Sequence, residues 1–305
     1  MVKIAHIVNP LLVRNPASDL SYAQPITLHT MSQAREKAKL EGKLVVTQYA
    51  AFYEEDTQSS PEDFKSTARL KRSILDIIPN IDSPRKLPLL SDILDRLYES
   101  APDADYLIYS NIDIGLYPNF YDQISKLIEQ GYDAFVIGRR TLSTEFTSIE
   151  DLAHIYAQEG KPHYGYSCFV FPRNHYPNYI LGDTCIGLQP VGVTLAVNMI
   201  QSARNYQYFG QEKYTFHLGD DRVWNQSLLD QQHIHNEQVL DSITSLIKAK
   251  MQLTPRTLTL LDDYQKWRCN YVILKTTNTL RKNAYRVLRK LGLYDWVARR
   301  YGKVL

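Results

Sequence analysis

At 305 residues, 44 % hydrophobic and 22 % charged, the chain has room for one large globular domain or two smaller ones. It contains no run of about 18 apolar residues, which excludes a membrane-spanning helix. Its three cysteines, Cys168, Cys185 and Cys269, are too few and too scattered for a disulfide framework or a zinc ribbon. The net charge of +2 conceals an asymmetry. From Arg268 to the end, ten basic residues face the single acid Asp295, so a mildly acidic body carries a basic tail. The opening MVKIAHIVNP has no secretory pattern, so the expected location is cytoplasmic.

In chain order, Lys3–Val8 reads as a buried strand stopped by Asn9-Pro10. After a loop, Pro25 opens a helix to about Leu40, with Ile26, Met31, Ala34 and Ala38 as its buried stripe. Leu44–Thr47 is a second strand, and strand, helix, strand predicts a parallel pair. Phe52–Pro61 is acidic and irregular. Phe64–Lys71 is expected to be a short helix and Ser73–Ile78 is a third apolar run. Leu89–Ser100 is amphipathic, with Leu90, Ile93, Leu94 and Leu97 on one face.

Tyr106–Tyr109 reads as a buried strand that runs into Ser110-Asn111-Ile112-Asp113. Phe120–Gln130 is a helix closed by Gly131. Ala134–Gly138 is a strand with Arg139-Arg140 at its end. Ser148–Gln158 is helical, Lys161–Gly165 a loop and Cys168–Phe171 a strand. Asp183–Ile186 and Val191–Ala203 form one interrupted helical stretch. Tyr214–Phe216 is a short strand before His217, and residues 226–253 are helical. The alternation predicts an α/β fold, more parallel in its first half than in its second.

No phosphate-loop, dinucleotide, nucleophile-elbow, HExxH or CxxC signature occurs. What remains is a dispersed set of oxygen and nitrogen donors. Asp113 follows a strand, where open α/β sheets hold ligands, although a lone loop Asp is also a common turn former. His217 follows another strand, with Asp220 and Asp221 beside it. One carboxylate and one imidazole, completed by diphosphate oxygens and water, suit Mn²⁺ or Mg²⁺. Asp183 precedes an apolar helical segment, as an N-cap or as a general base at a cleft. Arg85-Lys86 and Arg139-Arg140 are either solvated pairs or the positive clamp a diphosphate needs. The 22 tyrosines suit sugar or nucleobase contacts as well as ordinary half-buried positions.

The order strand, SNIDIGL, helix, strand ending GRR resembles the donor site of GT-A-type glycosyltransferases, the nucleotide-diphospho-sugar transferase fold. The resemblance covers about residues 1–225 and implies a mixed, mostly parallel sheet flanked by helices. The metal-binding DxD of that family reads Asn111-Ile112-Asp113 here, with an amide in place of the first acid. TFHLGDDR matches the late metal-site histidine at His217, and LGDTCIG places Asp183 where inverting members keep a catalytic base. Asn9-Pro10 falls where the family begins its nucleotide pocket, and Asp56, after the second strand, where an acidic residue often contacts base or ribose. Arg85, Lys86, Asn111 and Arg139 join them as donor-binding candidates.

The expected activity is metal-assisted sugar transfer from a nucleotide-diphosphate donor to a glycan, lipid or protein hydroxyl. The alternatives are a non-catalytic binder of sugar nucleotides or glycans, and a phosphoesterase using Asp113, His217, Asp220 and Asp221. Domains are expected at 1–265 and 266–305, the second a basic amphipathic helical extension. Its basic and apolar residues alternate at helical spacing, which suits peripheral contact with an anionic inner membrane surface, an acidic partner or the acidic body itself. No motif supports specific nucleic-acid recognition.

Overall fold

The computed structural model describes residues 1–81, 84–219 and 230–269. The first two apolar runs pair side by side. β1 (Val2–Val8) and β2 (Leu44–Ala50) are parallel from Val2↔Leu44 to Val8↔Ala50. A parallel pair is covered on both faces, and β1 is accordingly buried at every position from Ile4 to Val8. The crossover is α1 (Leu20–Glu41), capped by the Asp19 carboxylate on Leu20 N–H and ended by left-handed Gly42. This helix starts a turn before Pro25, which sits inside it. Pro25 is exposed, so the one missing helix donor falls on the solvent side. The expected stripe Ile26, Met31, Ala34 and Ala38 is buried.

β3 (Lys65–Ser66) extends this end of the sheet, and the rest of Phe64–Lys71 is irregular, where a short helix was expected. The Ser73–Ile78 run is a single helical turn, α2 (Ile74–Ile77), held by a reciprocal cap between Ser73 and Asp76. Next come α3 (Leu90–Ser100), β4 (Tyr106–Ser110), β5 (Gly115–Leu116), α4 (Phe120–Glu129) and β6 (Ala134–Leu142). α5 (Leu152–Ala157), β7 (Lys161–Pro172), α6 (Val191–Ser202), β8 (Tyr206–Phe209), β9 (Thr215–Leu218) and α7 (Asp230–Lys250) complete this part. β7 absorbs Lys161–Gly165, expected as loop, and β6 absorbs Arg139 and Arg140. Residues 183–186 are not helical: Cys185 bridges Leu89, and Thr184 C=O accepts from Leu90 N–H.

Strand order is β3-β2-β1-β4-β7-β6-β9-β5, with β8 also on β6. β1, β2, β3 and β4 are mutually parallel; β7 runs antiparallel between β4 and β6. The sheet is therefore mixed and mostly parallel, as expected, with helices flanking it. One core cluster joins Ile4, Val8, Ile108 and Val170 of the sheet to Met31 and Ala34 of α1 and Phe120 and Ile124 of α4. Two compact units, Met1–Thr254 and Pro255–Leu305, divide the chain. The described part of the second is a helix over 255–269 in which Tyr264 stacks on Trp267. Most of the basic tail lies outside the described residues. No described helix is long and apolar enough to cross a membrane.

A polar chain crosses the core beneath the carboxyl end of β4. Arg35 donates to Gln48 Oε1, and Gln48 Nε2 donates to Met31 C=O and to the Tyr121 hydroxyl. The Tyr121 proton is then left for His6 Nδ1 at 2.9 Å, so His6 Nε2–H donates to Ser110 Oγ at 2.8 Å. His6 has no exposed surface, and burial lowers its pKa to about 3. The unfolded chain takes up this proton near pH 6.5 and the native one only near 3. Acid therefore favours unfolding across that window, by about 1.4 kcal/mol per pH unit from this group. The free energy of unfolding from urea titrations should fall by about 2 kcal/mol between pH 6.5 and 5 on this account, and His6→Gln should remove that part of the slope.

Candidate active site

Two short strands meet beyond the end of β4 and bring distant residues together. The Asn111–Ile114 turn closes with Ile114 N–H on Asn111 C=O, and Asn111 N–H reaches Ser167 C=O. β5 then pairs antiparallel with β9 through Gly115↔Phe216 and Leu116↔Thr215. Leu116 N–H is also held by Thr30 Oγ1 of α1. A Cβ on Gly115 would lie 2.2 Å from the buried Phe216 ring, so only glycine lets the turn close onto β9. That closure sets Asp113 Oδ2 3.3 Å from His217 Nε2, across a separation of more than a hundred residues.

His217 lies within β9, 4 % exposed. Its Nδ1 is 2.8 Å from Gly219 C=O. A carbonyl only accepts, so Nδ1 carries the proton, and in the neutral ring Nε2 presents its lone pair to the carboxylate. Asp113 Oδ1 is buried with no hydrogen-bond partner among the described residues. Burial alone would raise the Asp113 pKa. A protonated His217, through its hydrogen bond and charge, and the Arg139 guanidinium outweigh it and hold the carboxyl below its usual range; with the ring neutral, the place of that proton is open. Two acceptors facing each other, one beside an orphaned oxygen, suit a small cation between them. No group of three or more His, Cys, Asp or Glu assembles as a metal site among the described residues. Among the described residues, Asp113 and His217 are the two donors that face one another here, a pair that would leave positions of a hard-cation shell for oxygens of another molecule. The residues fit Mn²⁺ or Mg²⁺ on that basis.

Arg139 and Arg140, adjacent in β6, have separated fates because side chains alternate along a strand. Arg140 pairs with Phe216 and Thr141 with His217 in the parallel ladder to β9. Arg139 and Thr141 therefore share the face of His217. Arg140, 8 % exposed, spends its guanidinium on the carbonyls of Glu159, Gly160 and Gln211 and on the Glu159 carboxylate. Asn111 Oδ1 accepts from the Tyr109 hydroxyl at 3.3 Å.

The other expected residues serve neighbouring loops. Asn9 Nδ2 donates to Ala51 C=O at 2.6 Å, and Asp56 Oδ1 accepts from Leu12 N–H at 2.8 Å. Together they tie the segment after β1, which begins at buried Pro10, to the segment after β2. Lys86 pairs with Glu55 and lies 3.8 Å over the Tyr53 ring; Arg85 is exposed. Asp183 Oδ1 accepts from Arg72 Nη1 at 3.1 Å, while Arg72 also grips Asp92 with Nε and Nη2. His235 Nε2–H donates to Asp183 C=O at 3.0 Å, and Asn236 brackets the backbone of Cys185. None of these contacts is shared with the Asp113–His217 pair. The Arg72 partnership carried no sequence signal, since it spans 111 residues. Asp220 and Asp221 lie outside the described residues.

No family model matches the chain, and no curated protein matches it. Solved structures are similar at low identity. Residues 1–349 of Staphylococcus aureus TarS with UDP-GlcNAc align at TM-score 0.43 and 10 % identity, over 86 % of this chain and 80 % of that one. The TarS complex with UDP gives 0.42 and 10 %, over 83 % and 76 %. A 4-diphosphocytidyl-2C-methyl-D-erythritol synthase from Anaerococcus prevotii gives 0.37 and 8 %, over 77 % and 99 %.

Gly115→Ala should force the turn off β9. The expected result is a loss of about 1–3 kcal/mol in urea unfolding, typical of overpacking. Unchanged stability would show that the Phe216 ring can move aside.

Proposed function

We propose that this chain is a metal-assisted glycosyltransferase that moves a sugar from a nucleotide-diphosphate donor to an acceptor hydroxyl. The observation that carries the reading is the Asp113–His217 pair. It stands at the carboxyl end of the sheet with its acceptors turned inward and the Arg139 guanidinium on the same face.

In this reading Asp113 and His217 hold Mn²⁺ or Mg²⁺. Bound there, the cation supplies positive charge against the charge that develops on the departing diphosphate. Arg139 adds a second, fixed positive charge for the same anion. The acceptor oxygen bonds to the anomeric carbon as the bond from that carbon to the phosphate oxygen breaks, its electron pair leaving with the nucleoside diphosphate. Asp183 takes the proton of the acceptor hydroxyl, with Arg72 holding its carboxylate and His235 its main chain. Asn9 and Asp56 shape the nucleotide end by fixing the two loops above β1 and β2. Half-buried Asp113 is the one carboxylate of the pair where an amide occupies position 111.

A thermal-shift panel of nucleoside diphosphates and sugar nucleotides, beginning with UDP and UDP-GlcNAc, tests the reading with and without Mn²⁺. Binding should stabilise the chain by mass action, about 2.7 kcal/mol at a hundredfold excess over Kd. Asp113→Asn should abolish the Mn²⁺-dependent part, and a shift left intact in that variant would sink the metal assignment. Asp183→Asn should leave donor binding unchanged and lower kcat by about 10²–10⁴, the usual worth of a general base. Retained kcat would remove Asp183 from the chemistry.

A further inference from the structure

Residues 179–188, ahead of α6, form no helix, and Cys185 makes their one strand-like bridge. This strap is nonetheless held from two sides. On one side it is pinned to the entry of α3, where Leu90 N–H donates to Thr184 C=O and Ile186 N–H donates to Pro88 C=O, both at 2.9 Å. On the other side two asparagines reach it from successive helices. Asn198 of α6 accepts from Ile180 N–H at 2.6 Å and donates to Ile180 C=O at 2.9 Å. Asn236 of α7 accepts from Cys185 N–H and donates to Cys185 C=O, both at 2.9 Å. A side-chain amide carries an acceptor and two donors, so each asparagine pairs with both backbone groups of one residue, as a neighbouring strand would.

The two clamps straddle Asp183. Both amides are buried, 3 % exposed at Asn198 and fully enclosed at Asn236. The remaining N–H of each is spent as well, on Thr194 C=O at 2.9 Å and on Leu188 C=O at 3.4 Å. Enclosing an amide is costly unless its groups are paired, and here the pairing is with the strap. α7 also closes on the turn directly. Gly182 has φ +55°, and a Cβ there would lie 2.8 Å from Val239 Cγ1. His235 holds the Asp183 carbonyl at 3.0 Å. Leu181, Thr184 and Cys185 are thus buried on either side, while the Asp183 side chain stays 43 % exposed beside Arg72.

We infer that Asn198 and Asn236 are positioning residues for Asp183. By fixing the main chain at 180 and 185 they set where its carboxylate meets an acceptor hydroxyl. The role rests on the glycosyltransferase reading, in which Asp183 takes the acceptor's proton. The hold of the two amides on the strap does not.

Two buried thiols report the hold. Cys185 Sγ lies 3.3 Å from Asn236 Oδ1, within the strap, and Cys168 belongs to the core cluster. Maleimide labelling, mapped by peptide mass, should run about tenfold or more faster at Cys185 in Asn236→Ala and stay unchanged at Cys168, the pattern of local opening. Turnover is read as Mn²⁺-dependent hydrolysis of UDP-GlcNAc, or of whichever nucleotide sugar stabilises the chain, with water as acceptor. Asn236→Ala should lower kcat about tenfold or more, since small misplacements of a reacting group are costly, with the donor KM held within about twofold. Asn198→Ala cuts the other clamp and gives the same readings should Asn236→Ala fail to fold. Added to Asp183→Asn, either substitution should cost nothing further, because residues that act as a unit are not additive. Losses that multiply in that background overturn the positioning role. So does unchanged Cys185 labelling, or labelling of Cys168 that rises in step. Wild-type kcat in Asn236→Ala and Asn198→Ala beside an impaired Asp183→Asn overturns the positioning role alone. Wild-type kcat in Asp183→Asn, or no turnover of any nucleotide sugar by the native chain, overturns the reading of Asp183 and the positioning role with it.

Discussion

β7 is the joint of this fold. It runs against both of its neighbours, hydrogen-bonded to β4 on one side and β6 on the other. It is thus the seam between the parallel block β3-β2-β1-β4 and the second block, in which β6 carries β8 and β9. Every backbone donor and acceptor along a buried seam must find a partner. The register of β7 therefore fixes how high β6 and β9 stand relative to the end of β4. The Asp113–His217 contact, between one residue just beyond β4 and another in β9, exists only at that height. Between Ile137↔Cys168 and Arg139↔His163 the ladder to β6 shifts register, and residues 164–167 form a bulge there.

Polar groups under that end are committed in one direction. From Arg35 through Gln48 and Tyr121 to His6 and Ser110, each donor meets an acceptor, so the core holds a histidine without holding a charge. A buried chain with every member satisfied rigidifies the strands that share it, here β1, β2 and β4 with α4. Charge is concentrated instead one turn higher. There the half-buried Asp113 carboxylate, held below its usual pKa range with the help of the Arg139 guanidinium, stays ionised. The contrast between neutral His6 below and the ionised Asp113 above makes the carboxyl end of β4 an electrostatic site rather than another piece of core.

Neighbouring residues of like type separate sharply. Arg139 and Arg140 read as one basic pair in sequence, yet strand alternation sends the first to the site face and ties the second to backbone carbonyls. Single backbone contacts, to Gly219 C=O and from Gly165 N–H, give His217 and His163 opposite tautomers. Residue type set what each could do. Main-chain geometry chose between the options.

Much of the architecture was legible from local pattern. β1, β2 and β4, the stripe of α1 and the face of α3 announce themselves because apolar periodicity reflects burial, and burial of a repeating element is a local property. The misread stretches share a different cause. Lys65–Ser66 and Lys161–Gly165 are extended because of strands they join from elsewhere, and Pro25 is tolerated because its side of α1 faces water. Asp113 and His217 could be picked out singly, each as a polar residue at a strand end. Their meeting depends on a Gly115–Phe216 contact and a β5–β9 ladder that no spacing encodes. By itself the sequence determined an α/β chain with Asp113 and His217 as candidate donors. Only the tertiary structure decided that they face each other, because register and bulges between remote strands are chosen by hydrogen-bond pairing across the whole sheet.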